Sequence, residues 1–403
     1  MGAIISHRRL ITPGQLSIIN GISMQTIDII GGGIAGLTLA VALKQKGFRV
    51  RVFEQAPALR VVGAGINLAC NAMQVYDYLG LRPKLEAVGH ICQAMEVSDA
   101  QLRPLSTIDI RPFARRYGVQ NVAIHRAALQ SVLRAELNDE EVLLGKELQE
   151  IHQNGELLNL TFTDGTSYES NCLIGADGIH SVVRQQVLRE GAPQPAGQMC
   201  WRGVTDFELP SPYDQQLTEA WGREGRFGFV KINAHQVYWF AVIADELIQA
   251  PVDKSQLLDV YQHFNPLVGQ LLTATAKEAI HEAPLSDLKA PKCWYQERVC
   301  LIGDAAHATT PNLGQGACQA IEDAWVLAHC LEDSRALTPA FNRFQSIRER
   351  KVKQVVNTSR QVGQMAHWRN PLAVGLRNTL MRTMPKRLGE RQSEQIYTLE
   401  VLQ

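Results

Sequence analysis

One stretch limits the folds open to this chain of 403 residues more than any other. In "IDIIGGGIAGLTLAVALKQKGFRVRVFE", Ile27 to Ile30 read as a strand, and Gly31, Gly33 and Gly36 form G-x-G-x-x-G. The residues after them read as a helix stopped by Gly47, and "RVRVFE" reads as a second strand ending at Glu54. A lone glycine triplet says little. Set between a strand and a helix, with an acid closing the next strand, it predicts a βαβ dinucleotide-binding unit. Gly31 permits the tight turn, Gly33 lets a pyrophosphate approach the backbone, and Gly36 lets the helix pack on the strand. Ile34 and Ala35 open the helix, where unpaired N–H groups and a partial positive charge favour that pyrophosphate. Glu54, followed by Gln55, is placed to accept hydrogen bonds from ribose hydroxyls and to repel a 2′-phosphate, so NADP is not expected here. This motif alone does not separate NAD from FAD.

Two later motifs do. "CLIGADGIHSVVRQQV" is again strand, turn and helix, with Asp177 and Gly178 in the turn. On its own it is an ordinary structural corner. The third is "CLIGDAAHATTPNLGQGACQAIEDAWVLAHCL", where Asp304 ends a short apolar strand and a glycine-rich turn opens a helix near Gly316. A carboxylate there can accept hydrogen bonds from a polyol such as a ribityl chain. Pro311 to Gly316 brings backbone N–H groups toward a flat ring, and the helix N-terminus stabilises negative charge on it. A reduced flavin carries such a charge and a nicotinamide does not. The stretch therefore reads as built for FAD.

Together and in this order, the three motifs resemble those of the group A flavoprotein monooxygenases, the single-component aromatic hydroxylases of the p-hydroxybenzoate hydroxylase fold. The resemblance runs from Gln25 to about Arg387. It implies an α/β chain: a Rossmann-like FAD domain interleaved with a mainly antiparallel substrate-binding sheet, plus a helical C-terminal tail. It implies FAD held without a covalent link, NADH or NADPH as a transient co-substrate, O2, and hydroxylation of an aromatic or heteroaromatic small molecule through a flavin C4a-hydroperoxide. By the same resemblance Ala64 and Asn67 lie beside the flavin, Arg126 lies near the pyrophosphate and ribityl chain, and Leu148 makes a backbone contact to adenine. Gly314, Gln315, Gly316 and Ala317 approach the ring. "CWRGV", "WGREGRFGFVKI" and "LRNTLMR" resemble the 2-alkyl-4-quinolone 3-hydroxylase branch, with salicylate and urate hydroxylases further off.

The expected layout is discontinuous. Residues 24–90, 122–193 and 288–345 would form the FAD domain, 91–121 and 194–287 the substrate sheet, and 346–403 C-terminal helices, with 1–23 a disordered leader. Trp201, Phe227, Phe229, Tyr238, Trp239 and Phe240 give the sheet an aromatic-rich roof. Strand alternation puts Tyr238 and Phe240 on one face and Trp239 on the other. Arg202, Tyr238 and Pro311 are the candidates for the reaction itself. Arg202 would fix an anionic or carbonyl oxygen, or else pair on the outer face. His307 reads as structural, Glu322 and Asp323 as organisers of helix packing, and no residue stands out as a general base.

Composition removes other classes. Lys plus Arg and Asp plus Glu are 40 each, so no net field favours nucleic acid. Eight cysteines form no CxxC pair, which argues against a zinc knuckle or redox dithiol and for a reducing, cytoplasmic setting. No metal site and no membrane-spanning segment are expected. "HWRNPLAVGLRNTLMRTMPKR" mixes Trp368, Leu372, Leu376 and Leu380 with Arg369, Arg377, Arg382, Lys386 and Arg387. It reads as a helix docked on the FAD domain with a solvated basic face, or as a weak membrane-surface contact. A monomer and a homodimer both fit. Four alternatives stay open at this stage: a reductase without oxygen insertion, an epoxidase acting on an apolar metabolite, an antibiotic-modifying monooxygenase, and a non-catalytic FAD-binding protein.

Overall fold

The computed structural model describes residues 26–58, 64–189, 192–248, 252–289 and 291–400; the leader expected over residues 1–23 lies outside them. Two large sheets organise the chain. The first runs Tyr295–Gln296, Val299–Leu301, Cys172–Gly175, Thr26–Ile30, Arg49–Glu54, Val142–Leu144. Its last five strands are parallel and only the edge pair is antiparallel. Parallel strands are covered on both faces, which is why Ile27, Ile29, Leu173, Ile174, Cys300 and Leu301 are all fully buried in near-continuous apolar runs. Helix Ile34–Gln45 is buried along most of its length because it lies between this sheet and helix Gly316–Asp333. An added methyl at Gly36 would stand 2.0 Å from the Gly31 carbonyl oxygen, so only glycine lets helix and strand approach this closely.

Register decides what this sheet presents. Ile30 lies opposite both Phe53 and Gly175, and Gly175 lies opposite Leu301. The four neighbouring strands therefore end level with one another. The chain leaves the central strand to one side and returns to the other, so the crevice at these carboxyl ends is a topological switch point.

The second sheet has seven strands in the order Ile280–Asp287, Gln194–Asp206, Gln236–Ala244, Arg226–Lys231, Gln216–Trp221, Ala94–Asp99, Pro104–Asp109. All its pairs are antiparallel except Gln216–Trp221 with Ala94–Asp99. Its outer face packs on helices Lys254–Val260 and Pro266–Ala274 in one aromatic cluster, where Phe227 stacks on Trp239 at 5.5 Å. A three-stranded sheet containing Gly65–Leu68 lies against its inner face, where an added methyl at Gly65 would stand 2.4 Å from the Tyr238 ring.

The tail is helical: Leu337–Ala366, Pro371–Thr383 and Lys386–Tyr397. Its docking corrects one expectation. Helix Pro371–Thr383 packs on the edge strand Pro104–Asp109 of the seven-stranded sheet rather than on the FAD domain. Nor is its basic face solvated throughout. Arg377 is buried, with its guanidinium 5.2 Å from the centre of the Trp221 ring and Nη1 donating to the Met365 and Ala366 carbonyls.

Candidate active site

Four sequence-distant turns meet where the parallel strands end. Glu54 closes one strand, Gly31 follows the next, Asp177 follows the third and Asp304 the fourth. Gly31 has φ +108°, and a methyl on it would stand 2.4 Å from the Ala176 carbonyl oxygen. Its N–H donates to the Phe53 carbonyl at 2.8 Å, which ties the turn to the second strand. Gly33 precedes the helix without any side-chain cap, and a methyl added there would meet nothing within 4 Å. An uncapped helix N-terminus facing open space is what a pyrophosphate needs. Glu54 lies against this turn. It accepts from Gly32 N–H at 2.7 Å and from Ala56 N–H at 2.9 Å, which leaves lone pairs for ribose hydroxyls. Gln55 beside it is exposed, and Leu148 is buried at the start of strand Leu148–Asn154.

The other two turns carry carboxylates in need of partners. Asp177 Oδ2 accepts from Val183 N–H at 3.2 Å, while Oδ1 is buried without a partner and burial raises the carboxyl pKa. Asp304 is open to solvent, yet burial raises its pKa, against the pull of His307 and Arg126. Both facts hold if the carboxylate lines a cleft inside the molecule rather than the outer surface. Gly316 opens the next helix with no side-chain cap, and a methyl on it would stand 3.9 Å from Asp304 Oδ1. Carboxylate and helix N-terminus thus share one wall. Pro311–Leu313 form a single 3-10 turn, Gly314 takes φ +62°, and Gln315 is held by Asn71 Nδ2 at 3.1 Å, with Ala317 next in the helix. Across the cleft, Arg126 N–H donates to the Ala64 carbonyl at 2.9 Å, and its guanidinium is exposed with no partner among the described residues. Asn67 Oδ1 is buried and unpaired on the neighbouring strand. Unpaired acceptors, a free guanidinium and two open helix N-termini along one cleft fit a long ligand with a polyol and a pyrophosphate, which is the chemistry of FAD.

Behind this wall lies a cluster the sequence hides. Asp323 Oδ2 accepts from Gly303 N–H at 2.9 Å and contacts His307 Nε2 at 2.5 Å, and Oδ1 accepts from Arg348 Nε at 2.8 Å. Burial pushes this carboxyl up, but His307 and Arg348 outweigh it and hold it at about 2. Arg348 Nη1 also donates to Glu322 at 2.6 Å, and Lys351 Nζ donates to both Glu322 oxygens at 2.8 Å. Two buried anions are so matched by two buried cations, and Gly303, with φ +58°, is fixed where it presents Asp304. Glu322, Asp323 and His307 were legible as structural. Arg348 and Lys351 were not, because "RERKVK" reads as a solvated helix face.

The inner face of the seven-stranded sheet closes the cleft. Arg202, Tyr238 and Phe240 point inward, while Trp201, Phe227, Phe229 and Trp239 belong to the outer cluster. A methyl on Gly228 would stand 2.1 Å from the Phe240 ring, so that ring lies over bare backbone. Burial raises the Tyr238 pKa, with Arg202 opposing it, so the phenol stays protonated. Among the described residues the Arg202 guanidinium makes one hydrogen bond, Nε to Cys200 Sγ at 3.4 Å. Arg226, which sequence reading passed over, ties three segments together. It donates to Glu219 at 2.9 Å, to Asn312 Oδ1 at 2.7 Å and to His367 Nε2 at 3.2 Å. A cavity of about 1020 Å³ lies at the opposite edge of the sheet, between Pro104–Asp109 and Met381–Pro385, and takes in none of these residues.

Comparison with known proteins agrees with this geometry. A family described as FAD binding domain matches residues 23–359. Aurachin C monooxygenase/isomerase of Stigmatella aurantiaca is 37% identical over 89% of this chain and 94% of its own length. The 2-heptyl-3-hydroxy-4(1H)-quinolone synthase of Pseudomonas aeruginosa is 32% identical over 93% of this chain and 98% of its own. Among solved structures, Klebsiella pneumoniae HpxO complexed with FAD and uric acid superposes with TM-score 0.84 at 26% identity, over 92% of this chain and 96% of that one.

Proposed function

The chain belongs to the FAD-binding-domain family of monooxygenases, and from that premise we propose that it hydroxylates a bicyclic, carbonyl-bearing heteroaromatic ring of the 4-quinolone type. It is an FAD-dependent hydroxylating monooxygenase. Bound FAD would supply the redox chemistry, namely hydride acceptance from NADH or NADPH and activation of dioxygen for the substrate ring. The chain's own residues bind, orient and keep out water. Gly33, Ile34 and Ala35 would receive the pyrophosphate, Glu54 the adenosine ribose, and Asp304 and Arg126 the ribityl side. The Gly316 helix N-terminus would stabilise negative charge on the ring. We assign residues 24–90, 122–193 and 288–345 to this cofactor domain and 91–121 and 194–287 to the substrate sheet.

The observation that carries the substrate reading is Arg202. It stands on the inner face, between Phe240 and His281 in register, with its Nε donating to Cys200 Sγ. Burial opposes its charge, and no carboxylate pairs with it among the described residues. A cation so placed among apolar side chains suits a ring carbonyl that gains negative character as the adjacent carbon is attacked. Phe240 and Tyr238 would hold the ring's flat face, and Pro311 its edge. Such a ring is already electron-rich, which is consistent with the lack of an obvious base.

The test is acceleration of NAD(P)H oxidation by alkylquinolones, salicylates, hydroxynicotinates, aminohydroxybenzoates and urate, with 18O2 incorporation into product. Alkylquinolones are expected to accelerate oxidation most and to carry the label. A benzoate or urate preferred over every quinolone would refute the substrate class. Product without label would refute oxygen insertion.

A further inference from the structure

The C-terminal helices and the turns flanking them carry a row of exposed apolar side chains. Trp368, Leu372, Leu376, Leu380, Met384 and Leu388 recur every fourth residue, and all are exposed, Leu372 at 85% and Leu376 at 60%. Helix Pro371–Thr383 turns Arg377 inward and its leucines outward, the reverse of an ordinary surface helix. Its outward positions between the leucines are Gly375, Thr379 and Thr383, so that face carries no charge. The rim is basic. Arg369, Arg382 and Arg387 are exposed there, and from His367 to Gly389 the chain holds no acid, in a protein whose total charge is balanced.

We propose that this stripe rests on an anionic phospholipid surface. An apolar face edged by cations matches the boundary between acyl chains and acidic headgroups. A second copy of the chain is the competing occupant, and charge argues against it. A two-fold contact would set this acid-free segment against itself. Among the described residues no helix is long and apolar enough to cross a membrane, so the contact is peripheral and reversible. Ion pairs of Arg369 with Glu246 and of Arg382 with Asp99 hold the helix to the sheet and leave the leucines free to face the bilayer. None of these residues lines the cofactor or substrate face, so the inference stands or falls separately from the substrate reading.

Full-length, FAD-loaded enzyme without substrate is sedimented with phosphatidylglycerol-containing vesicles and with pure phosphatidylcholine vesicles, at low and moderate salt. Binding is expected to favour the anionic vesicles and to weaken with salt. Each of Leu372→Asp, Leu376→Asp and Leu380→Asp should lower partitioning by about tenfold with turnover of a soluble substrate unchanged. Arg387→Glu should lower it on anionic vesicles only. No sedimentation at low salt, or sedimentation unchanged in the triple leucine variant, overturns the proposal. So does a dimer, seen by light scattering, that the same variant dissolves.

Discussion

Arg226 Nη2 donates to Asn312 Oδ1 at 2.7 Å, and that single hydrogen bond joins the substrate sheet to the loop that begins at Pro311. Asn312 is itself held, with Nδ2 donating to the Ser359 carbonyl at 2.8 Å, and a methyl on Gly363 would stand 2.3 Å from it. Sheet, loop and long helix thus share one fastening. Arg226→Met would leave Glu219 buried without its cation, at a cost of about 3–5 kcal/mol in stability. Asn312→Ala removes the link and leaves the ion pair. It is expected to keep the melting temperature within a few degrees of wild type, while more NAD(P)H oxidation ends in hydrogen peroxide because the cleft no longer closes tightly. A peroxide assay beside product yield checks this, and unchanged coupling in Asn312→Ala would remove the role.

Two glycines in the first motif should fail in different ways. Gly36→Ala places a methyl 2.0 Å from a backbone oxygen and should cost about 1–3 kcal/mol or more of stability. Gly33→Ala meets nothing within 4 Å and should leave the apoprotein folded while obstructing the pyrophosphate. Denaturant melts paired with flavin titration separate the two. Equal loss of stability in both variants would contradict the geometry.

Asp304→Ala should weaken FAD binding by about 1.5–3 kcal/mol, the worth of a charge-assisted hydrogen bond, with little change in the melt of the apoprotein. Glu54→Ala should weaken FAD binding and also lower the apoprotein's melting temperature, because its carboxylate holds Gly32 N–H and Ala56 N–H. Quenching of flavin fluorescence on titration gives the affinity. Asp304→Ala binding FAD as tightly as wild type would put the polyol elsewhere.

His367 sets a pH dependence. Burial, then Arg226 and Arg377, lower its pKa from 6.5 to about 3, so it is neutral in the folded protein. The unfolded chain binds a proton there first. Stability is therefore full above about pH 6.5 and falls as pH drops toward 3. Asp323, lowered to about 2 from 3.8, keeps its share above pH 3.8 and loses it as pH falls from there toward 2. His367→Gln should flatten the fall in melting temperature between pH 6.5 and 4 without touching the steeper acid limb. Identical profiles for the variant and wild type would show that His367 does not carry the effect.

How much of this was legible depended on how local each signal was. Glu54, Gly31, Asp177 and Asp304 each end a strand and begin a turn, so a short window of sequence reveals them, and only their level alignment needed the sheet. Tyr238 and Phe240 followed from alternation. Arg348 and Lys351 did not, because a basic run on a long helix reads as solvated until Glu322 and Asp323 are known to face it. Arg377 misled for the same reason: the carbonyls of Met365 and Ala366 and the ring of Trp221 are what take a cation inward there.

The buried quartet of Glu322, Asp323, Arg348 and Lys351 also dictates an order of assembly. Lys351 Nζ donates to the Thr398 carbonyl at 2.8 Å, and Arg348 Nη1 reaches Glu400 at 3.4 Å. As the chain emerges from the ribosome, its first βαβ unit is complete long before the cations that neutralise the third motif exist. Until Arg348 and Lys351 arrive, Glu322 and Asp323 lack the two cations that match them, and the turn that presents Asp304 lacks the network that fixes it. A nascent chain stalled before Arg348 would release no flavin-competent domain, however much of the parallel sheet it had already made.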